Sequence, residues 1–267
     1  MNSDKFEARM RALESYHSIK FPAHSWVVIR VDGRSFSGLT ERMKFQKPFD
    51  PTFAGVMINT AKAMVEEFQA IYAFTESDEI SLLLPPTWNL FDRELEKVVS
   101  VSAAAASSKL MNLMMPLIPA EYNKEQKPIM FDSRVCICSN EIAVIDYFRW
   151  RQSDANRCAI NGYCYWTLRQ EGLSARKATS QLDKKTQDAK FAFLAEKGIK
   201  WDEIPGWQKN GTGLYWTKFT KMGVNPKTQQ TVEVERRGIR VEHDLPTRNE
   251  YDSFLRDLMT EATAVPV

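Results

Sequence analysis

Histidine is scarce in this sequence: His17, His24 and His243 are the three among 267 residues. None stands near another or near a nucleophile-like serine or cysteine, so histidine-centred acid–base or triad chemistry has little support. Cysteine is sparse as well. Cys136, Cys138, Cys158 and Cys164 are spaced as CxC and Cx5C, which makes no ordinary zinc pair. A chain of this length needs no disulfides, and free thiols are expected. No apolar run reaches the roughly 18 residues of a membrane helix, so a membrane span is not expected. The first ten residues, MNSDKFEARM, carry charge where a signal peptide has an apolar core. A cytoplasmic protein is the expectation. An excess of one sign of charge is also missing: 36 Lys and Arg face 34 Asp and Glu, for a net charge of +2. Only local clusters could then argue for a nucleic-acid partner. Internal repeats and low-complexity tracts are absent.

What is present is an ordinary folded composition, 43% hydrophobic and 26% charged. Residues 5–20 read as a short helix ending before Pro22. Trp26 to Val31 is an apolar run of strand length, stopped by the turn signal Asp32-Gly33-Arg34. Residues 35–51 read as a polar loop. Phe53, Val56, Met57, Ala61, Met64, Val65 and Phe68 recur at helical spacing. Strands follow at 71–75 and 79–84, then a helix over 92–115 that stops at Pro116, then a strand over 129–138. The order β-α-β-β-α-β predicts an α+β fold of the ferredoxin-like type. Beyond 140 the pattern is helical, over 141–171, 174–181 and 186–197. A β-hairpin is expected at 213–222 and 230–235 around Asn225-Pro226. Residues 1–140 form the expected catalytic core with an N-terminal helix. Residues 141–267 form a helical and hairpin region packed on it, suited to RNA binding and oligomerisation.

The chemistry-bearing residues are carboxylates. Asp32 ends the first strand, and Asp78 and Glu79 open the third. Those strands are antiparallel neighbours in a ferredoxin-like sheet, so the three meet at one sheet edge. Clustered carboxylates repel one another and become favourable around divalent cations. Two Mg2+ ions held in this way activate a hydroxyl and stabilise a leaving phosphate. Gly33 lets the backbone approach a ligand, and the N–H groups after it could cradle phosphates. Arg30, Arg34 and Lys47 could neutralise a triphosphate, with Pro48 and Pro51 stiffening the surroundings of Lys47.

Later in the chain, Arg149, Arg151 and Arg157 share one helical stretch with Asp154. Residues 169–190 hold Arg169, Arg176, Lys177, Lys184, Lys185 and Lys190 against Glu171, Asp183 and Asp188. A phosphate backbone would suit such a surface, as would plain solvation. Trp201, Trp207 and Trp216 could stack on bases or fill a core. Arg236 and Arg237 could touch RNA or solvate a hairpin.

Six stretches together resemble the tRNA-His guanylyltransferase family. Residues 30–37, Arg-Val-Asp-Gly-Arg-Ser-Phe-Ser, are similar to its metal-and-nucleotide motif, and Lys47-Pro48-Phe49-Asp50 to its Lys-Pro-x-Asp element. Thr75-Glu76-Ser77-Asp78-Glu79 resembles its Ser-Asp-Glu motif, and Phe131-Asp132-Ser133-Arg134-Val135 its Phe-Asp-Gly-Arg strand. Trp150-Arg151-Gln152-Ser153-Asp154 resembles its Trp-Arg-Gln-x-Asp helix, and Lys209 near Gly211-Thr212 its late Lys-Gly element. Order and spacing agree over about residues 21–216.

The resemblance implies a polymerase-like palm that adds nucleotides in the 3′-to-5′ direction. It implies that Asp32 and Asp78 bind two Mg2+ ions with the Gly33 carbonyl, and that Glu79 supports the site. Residues 32–37, including Arg34, Ser35, Phe36 and Ser37, together with Asp50 and Ser77 would hold an NTP. Arg30, Lys47 and Lys97 match basic positions that bind or activate phosphates. Arg151, Arg157, Asn161, Lys190 and Lys209 are the candidate tRNA contacts. A 5′-monophosphate on tRNA is adenylylated by ATP, and the 3′-hydroxyl of an incoming GTP or other NTP then displaces AMP. A homotetramer, a dimer of dimers, is implied as well.

The segment after the Trp-Arg-Gln-x-Asp helix is Asn156-Arg157-Cys158-Ala159-Ile160-Asn161-Gly162, unlike the eukaryotic motif. Ser37 stands where the family has a histidine, and Ser133 where it has a glycine. These departures resemble the bacterial and archaeal "like" branch, which implies templated repair of 5′-truncated tRNA rather than strict addition of G to tRNA-His. Two rivals of other kinds are a nucleotidyl cyclase, whose turn carries two glycines absent here, and a non-catalytic tRNA-binding protein.

Overall fold

In the computed structural model, residues 3–14, 19–118, 128–224 and 230–264 are described. In chain order they form α1 (Ser3–Arg11), β1 (Trp26–Gly33), α2 (Phe36–Arg42), α3 (Pro51–Glu67), β2 (Tyr72–Glu76), β3 (Glu79–Leu84), α4 (Leu95–Met114) and β4 (Phe131–Cys138). Then come α5 (Glu141–Gln170), α6 (Ala175–Leu182), α7 (Gln187–Glu196), α8 (Gly206–Asn210), β5 (Thr212–Val224), β6 (Thr231–Glu242) and α9 (Arg248–Ala264). The six strands make one sheet in the order β4-β1-β3-β2-β5-β6, with every pairing antiparallel. The first four strands have the ferredoxin-like arrangement, and β5–β6 extends it past β2.

β1 is apolar without alternation because both sheet faces are covered. On one face Val27, Ile29 and Val31 pack with Met57, Ala61 and Met64 of α3 and Ala106, Leu110 and Met114 of α4. On the other, Trp26 and Val28 pack with Tyr147 and Phe148 of α5 and Tyr251, Leu255 and Met259 of α9. The far half of α5 carries a separate cluster, in which Ile160 and Cys164 meet Leu194 of α7.

Four expectations change. The region 35–51 contains α2, because Phe36 and Leu39, three apart, anchor one helical turn in the core, Phe36 against Phe53 and Phe131. The second hairpin strand continues to Glu242, since Ile239 and Val241 pack on the core. The tail forms α9, whose Tyr251, Leu255 and Met259 recur every fourth residue and are fully buried. Leu95–Leu117 is long and apolar enough to cross a membrane, with mean hydropathy 1.2, contrary to the expectation that no such run exists. Its stripe Val98, Ser102, Ala106, Leu110 and Met114 lies buried. Cys136, Cys138, Cys158 and Cys164 are free thiols, as expected, and Cys158 is exposed. His17 and the turn at Asn225-Pro226 lie outside the described residues.

Candidate active site

Strand register writes the site. Directly opposed residues on neighbouring strands share a face. Asp132 of β4 stands opposite Asp32 of β1, Asp32 opposite Glu79 of β3, and Glu79 opposite Glu76 of β2. Four carboxylates from four strands therefore form one row at one end of the sheet, on the face that α5 covers. The next row inward carries Arg134 and Arg30, also directly opposed.

Asp78 stands beside this row, in the two-residue turn joining β2 to β3. Ser77 precedes it with φ of 49°, in the left-handed region. The Asp78 carbonyl accepts a 3.0 Å hydrogen bond from Gly33 N–H. A side chain at Gly33 would begin 2.8 Å from Asp78 Cβ and 2.5 Å from the Phe36 ring, so only glycine lets the two segments approach. Burial, assisted by the charge of Asp32, pushes the Asp78 carboxyl up to about 6. Burial raises Glu76 further, to about 8, with Glu79, Asp154 and Asp78 adding repulsion.

Glu79 has a different setting. Arg151 of α5 donates Nε to Oε1 and NH2 to Oε2, both at 2.7 Å. Arg30 Nε lies 3.8 Å from Oε2. Burial pushes Glu79 up against the pull of Arg151. Ser81 bridges Glu79 to the Tyr147 hydroxyl, at 3.3 and 2.9 Å. Arg151 also reaches Asp154 at 3.2 Å. The guanidinium thus ties α5 to the acidic row.

A cavity of about 580 Å³ opens beside the Asp78 turn, with Glu76 at its edge. Phe36, Ser37, Lys47, Asp50, Ser77 and Asp78 line it, along with Thr40, Phe45, Phe49, Tyr165, Trp166, Arg169 and Trp207. Lys47 Nζ donates to Thr40 Oγ1 at 2.6 Å and stands over the Trp166 ring. Burial lowers its pKa. Asp50 caps α3 through Phe53 N–H at 2.9 Å and accepts from Gln46 N–H at 2.8 Å. Arg34 and Ser35 are exposed, and Arg34 N–H donates to the Met130 carbonyl.

Two expected roles are not met by position, those of Lys97 and Arg151. Lys97 sits in the first turn of α4, paired with Glu94 at 3.0 Å. That turn follows the far end of β3, so the fold keeps Lys97 away from Asp32 and Asp78. Arg151 is buried and spent on Glu79 and Asp154, which removes it from an RNA surface. Arg157 is exposed but hydrogen-bonded to Asp154. Lys209 donates to the Trp201 carbonyl at 3.0 Å and lies over that ring. Asn161 and Lys190 are half-buried on α5 and α7. Trp216 packs against the core and donates to the Ala70 carbonyl at 3.0 Å.

Sequence reasoning missed Glu76 as a site group, and with it the grouping of Glu76, Asp154 and Cys158, whose ligand atoms lie within 4.8 Å of one another. The Thr-Glu-Ser-Asp-Glu stretch and the i, i+4 spacing of Asp154 and Cys158 were its available signals. The oxygen donors Asp32, Asp78 and the Gly33 carbonyl suit a hard divalent cation, and the elevated Asp78 carboxyl marks negative charge that such an ion would relieve.

Two family models match the chain: tRNAHis guanylyltransferase over residues 7–139 and Thg1 C terminal domain over residues 142–251. tRNA(His) guanylyltransferase 2 of Arabidopsis thaliana is 31% identical over 248 residues, which is 91% of this chain and 42% of that protein. The tRNA(His) guanylyltransferase of Debaryomyces hansenii is 30% identical over 82% of this chain and 84% of its own length. The crystal structure of the Saccharomyces cerevisiae enzyme has a TM-score of 0.69 at 25% identity, over 76% of this chain and 91% of that one. A bacterial tRNA(His) guanylyltransferase-like protein in complex with ATP has the same fold, with a TM-score of 0.69 at 24% identity over 95% and 99% of the two chains. With motifs, fold and relatives in agreement, the chain belongs to the tRNA(His) guanylyltransferase family.

Proposed function

We propose that the chain is a nucleotidyltransferase that adds nucleotides to the 5′ end of tRNA in the 3′-to-5′ direction, copying the opposite strand to repair truncated ends. The observation that carries this reading is the meeting of Asp32, at the end of β1, and Asp78, in the turn between β2 and β3, beside a nucleotide-sized cavity. The aromatic walls Phe45, Phe49 and Trp166 suit a base, and Ser37, Lys47 and Ser77 suit phosphates. In the reaction, the 3′-hydroxyl oxygen of the NTP attacks the 5′-phosphorus of the RNA. The new O–P bond forms as the bond to AMP breaks, or as the bond to pyrophosphate breaks from a 5′-triphosphate end. Asp32, Asp78 and the Gly33 carbonyl would hold two Mg2+ ions. Those ions would lower the pKa of the attacking hydroxyl and offset charge on the leaving phosphate. Glu79 and Arg151 hold the sheet end in place. In our reading ATP serves as the activating nucleotide, and the working form is a homotetramer in the cytoplasm.

The test supplies 5′-monophosphorylated tRNA lacking its first nucleotide, with ATP, Mg2+ and one labelled NTP at a time. Incorporation of the complementary nucleotide alone, abolished in Asp78→Ala, is the expected result. Addition of G to full-length tRNA-His alone would instead establish strict guanylyltransfer. Incorporation that survives Asp78→Ala, or none to any tRNA, would overturn the reading.

A further inference from the structure

Trp150 is 53% exposed, whereas Trp26 and Trp88 are buried. Its ring does not swing freely. The Arg151 guanidinium lies 4.5 Å from its centroid and that of Arg30 lies 5.6 Å away. Tyr147 meets it in a T-shaped contact at 5.8 Å. Such an indole, fixed and half open, is a stacking surface rather than a filler of space.

Arg30 beside it has capacity to spare. Its buried Nε makes no hydrogen bond, and its ion contact with Glu79 is long, at 3.8 Å. Arg134, directly opposite Arg30 on β4, is exposed and pairs with Asp132 at 2.9 Å. Both arginines lie on the face of the sheet that carries α5. That helix and α9 pack there over β3, β2 and β5, through Tyr147 on Ser81, Phe148 on Tyr72 and Phe254 on Tyr215. On β4, Cys136 and Cys138 pack beneath α5 and α9 on this face, and Arg134 and Asp132 continue it as exposed residues.

Position supplies the argument for an occupant. Along α5, Trp150 and Trp166 are 16 residues apart, about 24 Å of helix. Trp166 lines the cavity assigned above to the nucleotide. Arg151 and Asp154 lie between the two indoles and touch the acidic row. An aromatic and cationic place therefore stands on each side of the carboxylates. A reaction that joins two nucleotides needs both partners held in this way.

We propose that Trp150, Arg30 and Arg134 form a landing for the 5′-terminal nucleotide of the RNA, its base stacked on the indole and its phosphate facing the two guanidinium groups. The proposal rests on the functional reading above. Binding of a hairpin RNA bearing 2-aminopurine as its 5′-terminal base tests it, because stacking on an indole quenches that fluorophore. With the wild-type chain quenching is expected, and Trp150→Ala loses it. The same variant raises the KM for RNA by roughly five- to a hundredfold and leaves the KM for NTP unchanged. Trp150→Phe restores most of both signals. Quenching that persists in Trp150→Ala, a parallel rise in the NTP KM, or a change in the number of copies seen by light scattering would overturn the landing. Trp150-dependent quenching by a wild-type chain that extends no RNA would leave the landing standing and remove the polymerase reading.

Discussion

Glu76 and Asp78 stand two residues apart and hold their protons differently. Asp78, at about 6, is ionised at neutral pH. Glu76, at about 8, keeps its proton there, because its carboxyl is buried and ionisation would also set one more charge beside Glu79 and Asp154. The folded state binds this proton more tightly than the unfolded chain. The stability it contributes is complete below the ordinary glutamate range and is lost as pH rises toward 8. With divalent ions chelated, Tm should fall between pH 5 and pH 8, and the fall should be shallower in Glu76→Gln. Superimposable slopes in a thermal scan would contradict this. The pairing of Asp32 with Asp78 and Glu79 was legible in the sequence, since it needs only strand order and turn position. The state of Glu76 was not, because it depends on burial by tertiary packing, with Asp154 added from a helix far along the chain.

Between elements, Arg151 is the joint of α5 to β3. The sequence suggested an RNA contact there, since a basic helical stretch looks alike whether its partners are phosphates or a buried carboxylate. Arg151→Met leaves Glu79 buried with only the long Arg30 contact, at a cost of about 3–5 kcal/mol. The double variant Arg151→Met/Glu79→Leu should regain most of that stability in urea unfolding. It should not regain nucleotide addition, because the tie from α5 to the acidic row stays broken. Equal midpoints for the single and double variants would count against the pair as the joint. α2 escaped the sequence reading for a related reason: Phe36 and Leu39 give too short an apolar repeat to outweigh the polar residues around them. α5 was legible because its 30 residues repeat the helical period many times over.

Across the whole molecule, the second half of the chain completes the sheet begun by the first. β5 hydrogen-bonds to β2 through Thr212 to Tyr215, and α9 covers the face opposite α3 and α4. The first four strands were readable from hydrophobic runs of strand length bounded by turn signals. The hairpin β5–β6 was readable too; its docking on β2 was not, since β2 lies more than a hundred residues earlier. The proposed cation site needs β1 and β3 to be paired, so Mg2+ held there would bind the folded chain and raise its stability by mass action. A Tm increase of a few degrees in millimolar Mg2+ is expected at pH 7.5. It should shrink at pH 5, where Asp78 holds its proton, and vanish in Asp78→Asn. An equal increase in wild type and variant would place the ion elsewhere.

The row of four carboxylates has a consequence for how this chain can vary over evolutionary time. Each member is placed by register alone, and side chains alternate faces along a strand. One residue inserted into or deleted from β1 would carry Asp32 to the opposite face while leaving every other residue type unchanged. The strands that write the row can accept substitution but not a change of length. Past Trp216, the described residues of the β5–β6 ribbon pair only with one another, and there the chain is free to lengthen or shorten.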